Sequence, residues 1–217
     1  TAYLQYAHGF RAPPFDDVNI GFDLPQFNYR ALPNPDLESE RSDSIELGLR
    51  FGSDAVQGST AVFAGRYRDF IESRVNIGVD PETGTTLFQS QNLASAEIAG
   101  LEAALEFALG AWHPALARFS GSLTASWTDG EDTSTGDPIN SVDPPRGMLG
   151  LHYDASGGIF GASLELTVVG AKHGVDESAG PLFRPDGHEV LDLRLQWRPH
   201  PRITANLGLF NLADAAY

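Results

Sequence analysis

The chain contains no cysteine among its 217 residues, which excludes a disulfide scaffold and any cysteinyl metal site. No stretch approaches the roughly 18 consecutive apolar residues of a membrane-spanning helix. That absence is no argument for solubility, because a β-barrel satisfies its backbone between strands. Positive charge is scarce as well: 14 Lys and Arg stand against 29 Asp and Glu, a net charge of −15. Nucleic acid, which is held by basic patches, is thereby excluded as a partner. There is no Gly-x-Ser-x-Gly elbow, no His-Glu-x-x-His pair and no phosphate-cradling Gly-x-x-x-x-Gly-Lys, so the chain does not read as an enzyme. Nor do the first residues carry the pattern of a signal peptide; Ala2 to His8 is strand-like from the outset.

What the chain has is alternation. Phe119, Gly121, Leu123, Ala125 and Trp127 interleave with Ser120, Ser122, Thr124, Ser126 and Thr128, a pattern that a strand sorts onto two faces and a helix scatters. Ile45, Leu47, Leu49 and Phe51 alternate with Glu46, Gly48 and Arg50, and Leu191, Leu193, Leu195 and Trp197 with Asp192, Arg194 and Gln196. About nine strands are predicted, near residues 1–9, 43–52, 59–73, 94–109, 117–129, 146–155, 159–172, 187–198 and 202–213. The spacers between them are by turns brief (52–58, 110–116, 157–158, 199–201) and long and polar (10–42, 74–93, 130–145, 173–186).

A soluble β-sandwich also alternates, but it has no reason to segregate loop length by side. The favoured fold is therefore all-β: an antiparallel transmembrane β-barrel wall with short periplasmic turns and long extracellular loops. Phe51, Phe107, Tyr153, Phe160 and Trp197 fall beside the short turns, where an interfacial aromatic belt belongs. Leu47, Leu123, Leu164, Leu193 and Leu207 are expected to face lipid, and Glu46, Arg50, Glu102, Glu106, Glu165 and Arg194 to line the lumen. The acidic connectors (Asp129, Glu131, Asp132 and Asp137; Asp176 and Glu177) read as solvated loops, since the EF-hand ligand pattern is missing.

Ordered motifs add a resemblance. The segment Tyr6-Ala7-His8-Gly9-Phe10-Arg11-Ala12-Pro13-Pro14-Phe15, then Asn34-Pro35-Asp36-Leu37, Glu40 and Glu46-Leu47-Gly48, resembles the C-terminal barrel of TonB-dependent outer-membrane receptors. It is most similar to the haem and haemoglobin receptors, whose Phe-Arg-Ala-Pro box (here Phe10, Arg11, Ala12, Pro13) and Asn-Pro-Asn-Leu box bracket one loop. The second box departs at Asp36. Tyr67-Arg68-Asp69-Phe70-Ile71-Glu72, Gln89-Ser90-Gln91-Asn92, Ala99-Gly100-Leu101-Glu102, Asp143-Pro144-Pro145-Arg146 and Leu209-Phe210-Asn211-Leu212-Ala213-Asp214 with Tyr217 resemble successive stations of the haemoglobin, transferrin and lactoferrin receptor family.

The resemblance implies that residues 1–217 are the C-terminal part of a roughly 22-stranded barrel, with a plug and a last strand lying outside this sequence. It implies residence in the outer membrane of a Gram-negative bacterium, among lipid and lipopolysaccharide. The ligand would be haem, haemoglobin or a ferric chelate, imported with energy from the TonB complex acting through the plug. No intrinsic cofactor is expected; haem would be cargo. A ferric-siderophore receptor and a passive porin are the rival readings.

In such receptors a loop histidine is expected to meet the haem iron, yet 15–33 has none. Tyr29, whose residue type also ligates haem, and His8, beside the first box, are the haem-iron candidates. Phe22 and Phe27 are stacking candidates, and Arg11 and Arg30 candidate partners for propionates. Arg11 has the alternative role of an ion pair to a neighbouring strand or to lipopolysaccharide phosphate. His173 and His188 flank another long loop; His113 and His200 lie in short turns and His152 in mid-strand. Pro13 and Pro14 should end the first strand, having no amide donor, and Asn34-Pro35 should turn the chain back.

Overall fold

The computed structural model describes residues 1–178 and 180–216, so the Tyr217 station lies outside the described residues. β1 (Ala2–Arg11) stops where the two prolines begin. The following loop contains one turn of helix (Phe15–Asn19) and two short strands, β2 (Phe22–Leu24) and β3 (Tyr29–Leu32). The wall continues through β4 (Glu40–Gly52), β5 (Val56–Val79), β6 (Thr86–Ala108), β7 (Phe119–Asp132), β8 (Arg146–Asp154), β9 (Phe160–Val169), β10 (His188–His200) and β11 (Ile203–Leu209). In space the order is β1-β4-β5-β6-β7-β8-β9-β10-β11, each antiparallel to the next.

Register keeps the two faces chemically distinct across the whole wall. Leu4 lies opposite Leu47, Leu47 opposite Val62, Val62 opposite Leu101 and Leu101 opposite Trp127; further round, Leu151, Leu164 and Leu193 form one row. Among the described residues no second layer covers this face. Leu4, Leu47 and Leu149 are more than half exposed, as residues that meet hydrocarbon must be. Phe51, Phe107, Tyr153, Phe160 and Trp197 all lie on it at the short-turn end, with the Phe119 and Tyr153 rings 5.0 Å apart.

The opposite face is polar and cross-linked. The Tyr3 hydroxyl donates to Glu46 (2.6 Å), Gln57 donates to Glu106 (2.6 Å), Arg194 pairs with Glu165, and His152 meets Ser122 (3.1 Å). Gly48 is glycine for a local reason: the Tyr3 ring lies across it, and a Cβ there would come within 2.1 Å of the ring.

Two regions depart from the sequence expectation. The predicted connector 74–93 is mostly strand, because β5 and β6, 24 and 23 residues long, continue as a hairpin beyond the apolar belt to a tight turn at 80–85. Gly84 closes that turn at φ +71°, and its amide reaches the Asp80 carbonyl (2.8 Å). Asp69 and Arg74 sit in the hairpin with left-handed backbones (φ 54° and 57°), and the ladder shifts register between Glu72 and Val75. The predicted loop 10–42 carries β3, which pairs parallel with β6 from Tyr29–Thr86 to Leu32–Gln89. The sheet can accept β3 only because β6 projects that far.

Buried apolar residues gather at this projecting end: Phe70, Ala96 and Ile139, with Tyr67, Leu93, Ile98 and Val142 against them. Leu123, Leu164 and Leu193 are not among the buried core residues, contrary to what a soluble sandwich requires.

Candidate functional site

The long-loop end is held by side chains that reach across to other segments' backbones. Glu40 is buried (7% exposed) where β4 leaves the loop. Its Oε2 accepts from the Arg11 guanidinium (2.9 Å) and from the Ile71 amide (3.1 Å), while Arg11 also donates to the Ile71 carbonyl (3.3 Å). A second clasp follows. Asn34 donates to the Ser90 carbonyl (2.9 Å) and Gln89 to the Pro33 carbonyl (2.9 Å). Asn92 accepts from the Glu38 amide (2.8 Å) and donates to the carbonyls of Glu38 (3.1 Å) and Asp69 (2.6 Å). Asn34 also shapes its own turn, its side chain accepting from the Asp36 amide (3.1 Å).

A third clasp lies over the buried apolar cluster. Glu72, 5% exposed, accepts from the Ser141 amide (2.9 Å) and hydroxyl (2.6 Å). Burial pushes its carboxyl pKa up, and the Ser141 hydrogen bonds and nearby Lys172 only partly oppose this. Lys172, the chain's single lysine, bonds the Val142 carbonyl. The motif residues Arg11, Asn34, Glu40, Asp69, Ile71, Glu72, Gln89, Ser90 and Asn92 thus meet in space, where they fasten loops to one another.

Arg11 lies on the polar face and holds Glu40, the strand-to-strand role. Strand parity places His8 on the outward face with Leu4, Tyr6 and Phe10, where its Nδ1 is 2.8 Å from Asp43. That face carries the apolar belt, so His8 does not share the polar face with Arg11. Tyr29 is stacked between Phe22 (centroids 5.6 Å) and Phe88 (4.5 Å), and its enclosed hydroxyl has no hydrogen-bond partner among the described residues.

Arg30 forks between Asp23 (2.8 Å) and Asp80 (2.9 Å), tying β3 to the hairpin tip. Phe27 projects from the loop, 72% exposed, beside Asn28 in a left-handed turn. Phe10 is also exposed, Ala12 and Pro13 lead out of β1, and Pro35, Asp36 and Leu37 make the turn before β4. His173 is exposed in its loop and His188 half-buried at the start of β10. His113 and His200 cap short turns through Nδ1. No cluster of metal-binding side chains occurs among the described residues. Sequence reading missed the Glu72–Ser141 contact, since it joins residues 69 positions apart; an acid directly after Phe70 and Ile71 was its one signal.

The family model described as TonB dependent receptor-like, beta-barrel matches residues 1–212. The chain belongs to the TonB-dependent receptor family. Among curated relatives, this receptor segment is 27% identical over 234 residues to a probable hemoglobin and hemoglobin-haptoglobin-binding protein 4 of Haemophilus influenzae, covering 99% of this chain and 23% of that one. It is 27% identical over 244 residues to the hemoglobin and hemoglobin-haptoglobin-binding protein of Haemophilus ducreyi, covering 98% and 25%. The segment therefore spans about a quarter of these relatives' length.

Among solved structures the segment resembles the copper transporter OprC (TM-score 0.80, 18% identity, 100% of this chain and 32% of that one). It also resembles the ferric enterobactin receptor of Pseudomonas aeruginosa (TM-score 0.69, 19% identity, 99% and 32%). Both likenesses speak to the fold.

Proposed function

We propose that this segment belongs to an outer-membrane receptor that binds haem or a haem-carrying protein at its long-loop end and imports the ligand with TonB-supplied energy. The observation that carries this reading is the likeness, over almost the whole chain, to proteins named for binding hemoglobin and hemoglobin-haptoglobin. The architecture supports it. An apolar outer face holds the wall in lipid, a polar inner face lines the lumen, and clasped loops hold a surface above it.

Within that reading Tyr29 is the segment's haem-iron candidate. Its hydroxyl has no partner in the stack, so an iron that reached it would displace no hydrogen bond. The ring must first swing out from between Phe22 and Phe88. His8 is turned away, and we assign it no iron contact. Arg30 and Phe27, at the same loop, are the propionate and porphyrin partners.

The test is growth of cells carrying the full-length protein, with haemin or haemoglobin as the only iron source. The expected result is growth that Tyr29→Ala reduces and His8→Ala does not; haem uptake unaffected by either change would remove the Tyr29 assignment. A ferric-siderophore receptor is the second reading, favoured by one observation: the loop 15–33 offers no histidine and its tyrosine is enclosed. Growth on a ferric siderophore and none on haemin would select it.

A further inference from the structure

On the outward face of the wall, just beyond the apolar belt, the register sets two arginines side by side. Arg41 of β4 lies directly opposite Arg68 of β5. Like charges at opposed positions repel, and here no acid neutralises them fully. Arg41 has no ion-pair partner among the described residues. Arg68, 68% exposed, has only Asp43 at 3.3 Å, and that carboxylate already meets the Tyr6 hydroxyl (2.7 Å) and His8 (2.8 Å). Arg66, one step down, is committed to Glu97 (2.8 Å). Phe10, opposite Arg41 on the same face, is 77% exposed.

Position identifies what such a pair meets. Tyr6, Ile45 and Ala64 are the last apolar-belt positions on these strands, and Arg41 lies four residues beyond Ile45. That is about 10 Å along the membrane normal for a strand tilted by about 45°, the depth of head groups rather than hydrocarbon. Two guanidinium forks at that depth match a phosphate monoester, which each can grip with two donors, while the exposed Phe10 ring suits the interface beside it.

We propose that Arg41 and Arg68 form a binding site for the phosphorylated head group of an outer-leaflet lipid, seated against the outside of the barrel. The site rests on the outer-membrane placement proposed above and is independent of which cargo the receptor imports. The lipid is favoured over a free anion because the site is continuous with the lipid-facing belt and opens away from the lumen.

The test uses the full-length receptor in detergent, with native mass spectrometry to count bound lipid. The probes are bisphosphorylated lipid A, the same lipid stripped of phosphate, and inorganic phosphate as competitor. Barrel folding is checked by heat-modifiable gel migration, so a failure of membrane placement reads separately. The expected result is a lipid A affinity at least tenfold lower in R41Q/R68Q, with the dephosphorylated lipid bound equally weakly by wild type and variant. Without lipid, R41Q should melt no lower than wild type, because it removes a repulsion; a lower melting point would make Arg41 a structural residue and overturn the site. Equal lipid A binding by wild type and double variant would overturn it too. Full displacement by equimolar inorganic phosphate would do the same, since the occupant would then be a free anion.

Discussion

The wall and the clasped loop end are built by opposite means. The wall has no core: its large apolar residues stand exposed on one face, and its cohesion comes from a continuous strand ladder whose greasy side is completed by lipid. The loop end hides its polar groups instead. Glu40 and Glu72 are among its most buried residues, each satisfied by amides or hydroxyls of another segment. Lipid completes the wall and side chains complete the clasp, so a wall position tolerates any greasy residue while a clasp position demands a particular donor or acceptor. That difference accounts for why Arg11, Asn34, Glu40, Glu72 and Asn92 stand within recognisable motifs.

Three measurements sharpen the contrast. The largest effect is expected from Leu164→Arg, which sets a charge at mid-strand on the lipid face. It should cost about 2–4 kcal/mol of folding into vesicles, read by denaturant titration, whereas Ser163→Arg on the polar face should cost far less; equal costs would deny that the faces differ.

Glu40→Ala should cost less and act locally. It strands the Ile71 amide and frees Arg11, worth about 1–3 kcal/mol for the buried donor, so the Ile71 amide should exchange faster and the loop 12–39 should be nicked sooner by protease. The wall's unfolding transition should not move.

The smallest effect is a pH dependence. A carboxyl whose folded-state pKa is raised, as burial raises that of Glu72, holds its proton more tightly folded than unfolded. The third clasp should therefore be at full strength below the ordinary glutamate pKa and weaken as pH rises through the raised one. Backbone exchange around Ser141 reads this, and Glu72→Gln should flatten the profile.

The wall was legible because each strand there has one greasy and one wet side, and parity alone sorts Leu123 from Thr124. The same parity applied to β1 separates His8 from Arg11, so the outward placement of His8 was available in the sequence and was masked by its nearness to a motif. The projecting hairpin was not legible. Beyond Arg68 both faces are polar or packed under loops, alternation loses its contrast, and the left-handed residues Asp69 and Arg74 break the period. The motif boxes announced a family without announcing their work, since Asn34 and Ser90 are 56 positions apart and meet only in the fold.

The parallel seam between β3 and β6 joins what the chain separates by a whole hairpin. A body landing on Phe27 leans on β3, which the seam, the Arg30 fork and the Asn34 bond fix to the mast formed by β5 and β6. The two loops then take a load as one beam, and a push at the tip is delivered to strands rooted in the barrel below.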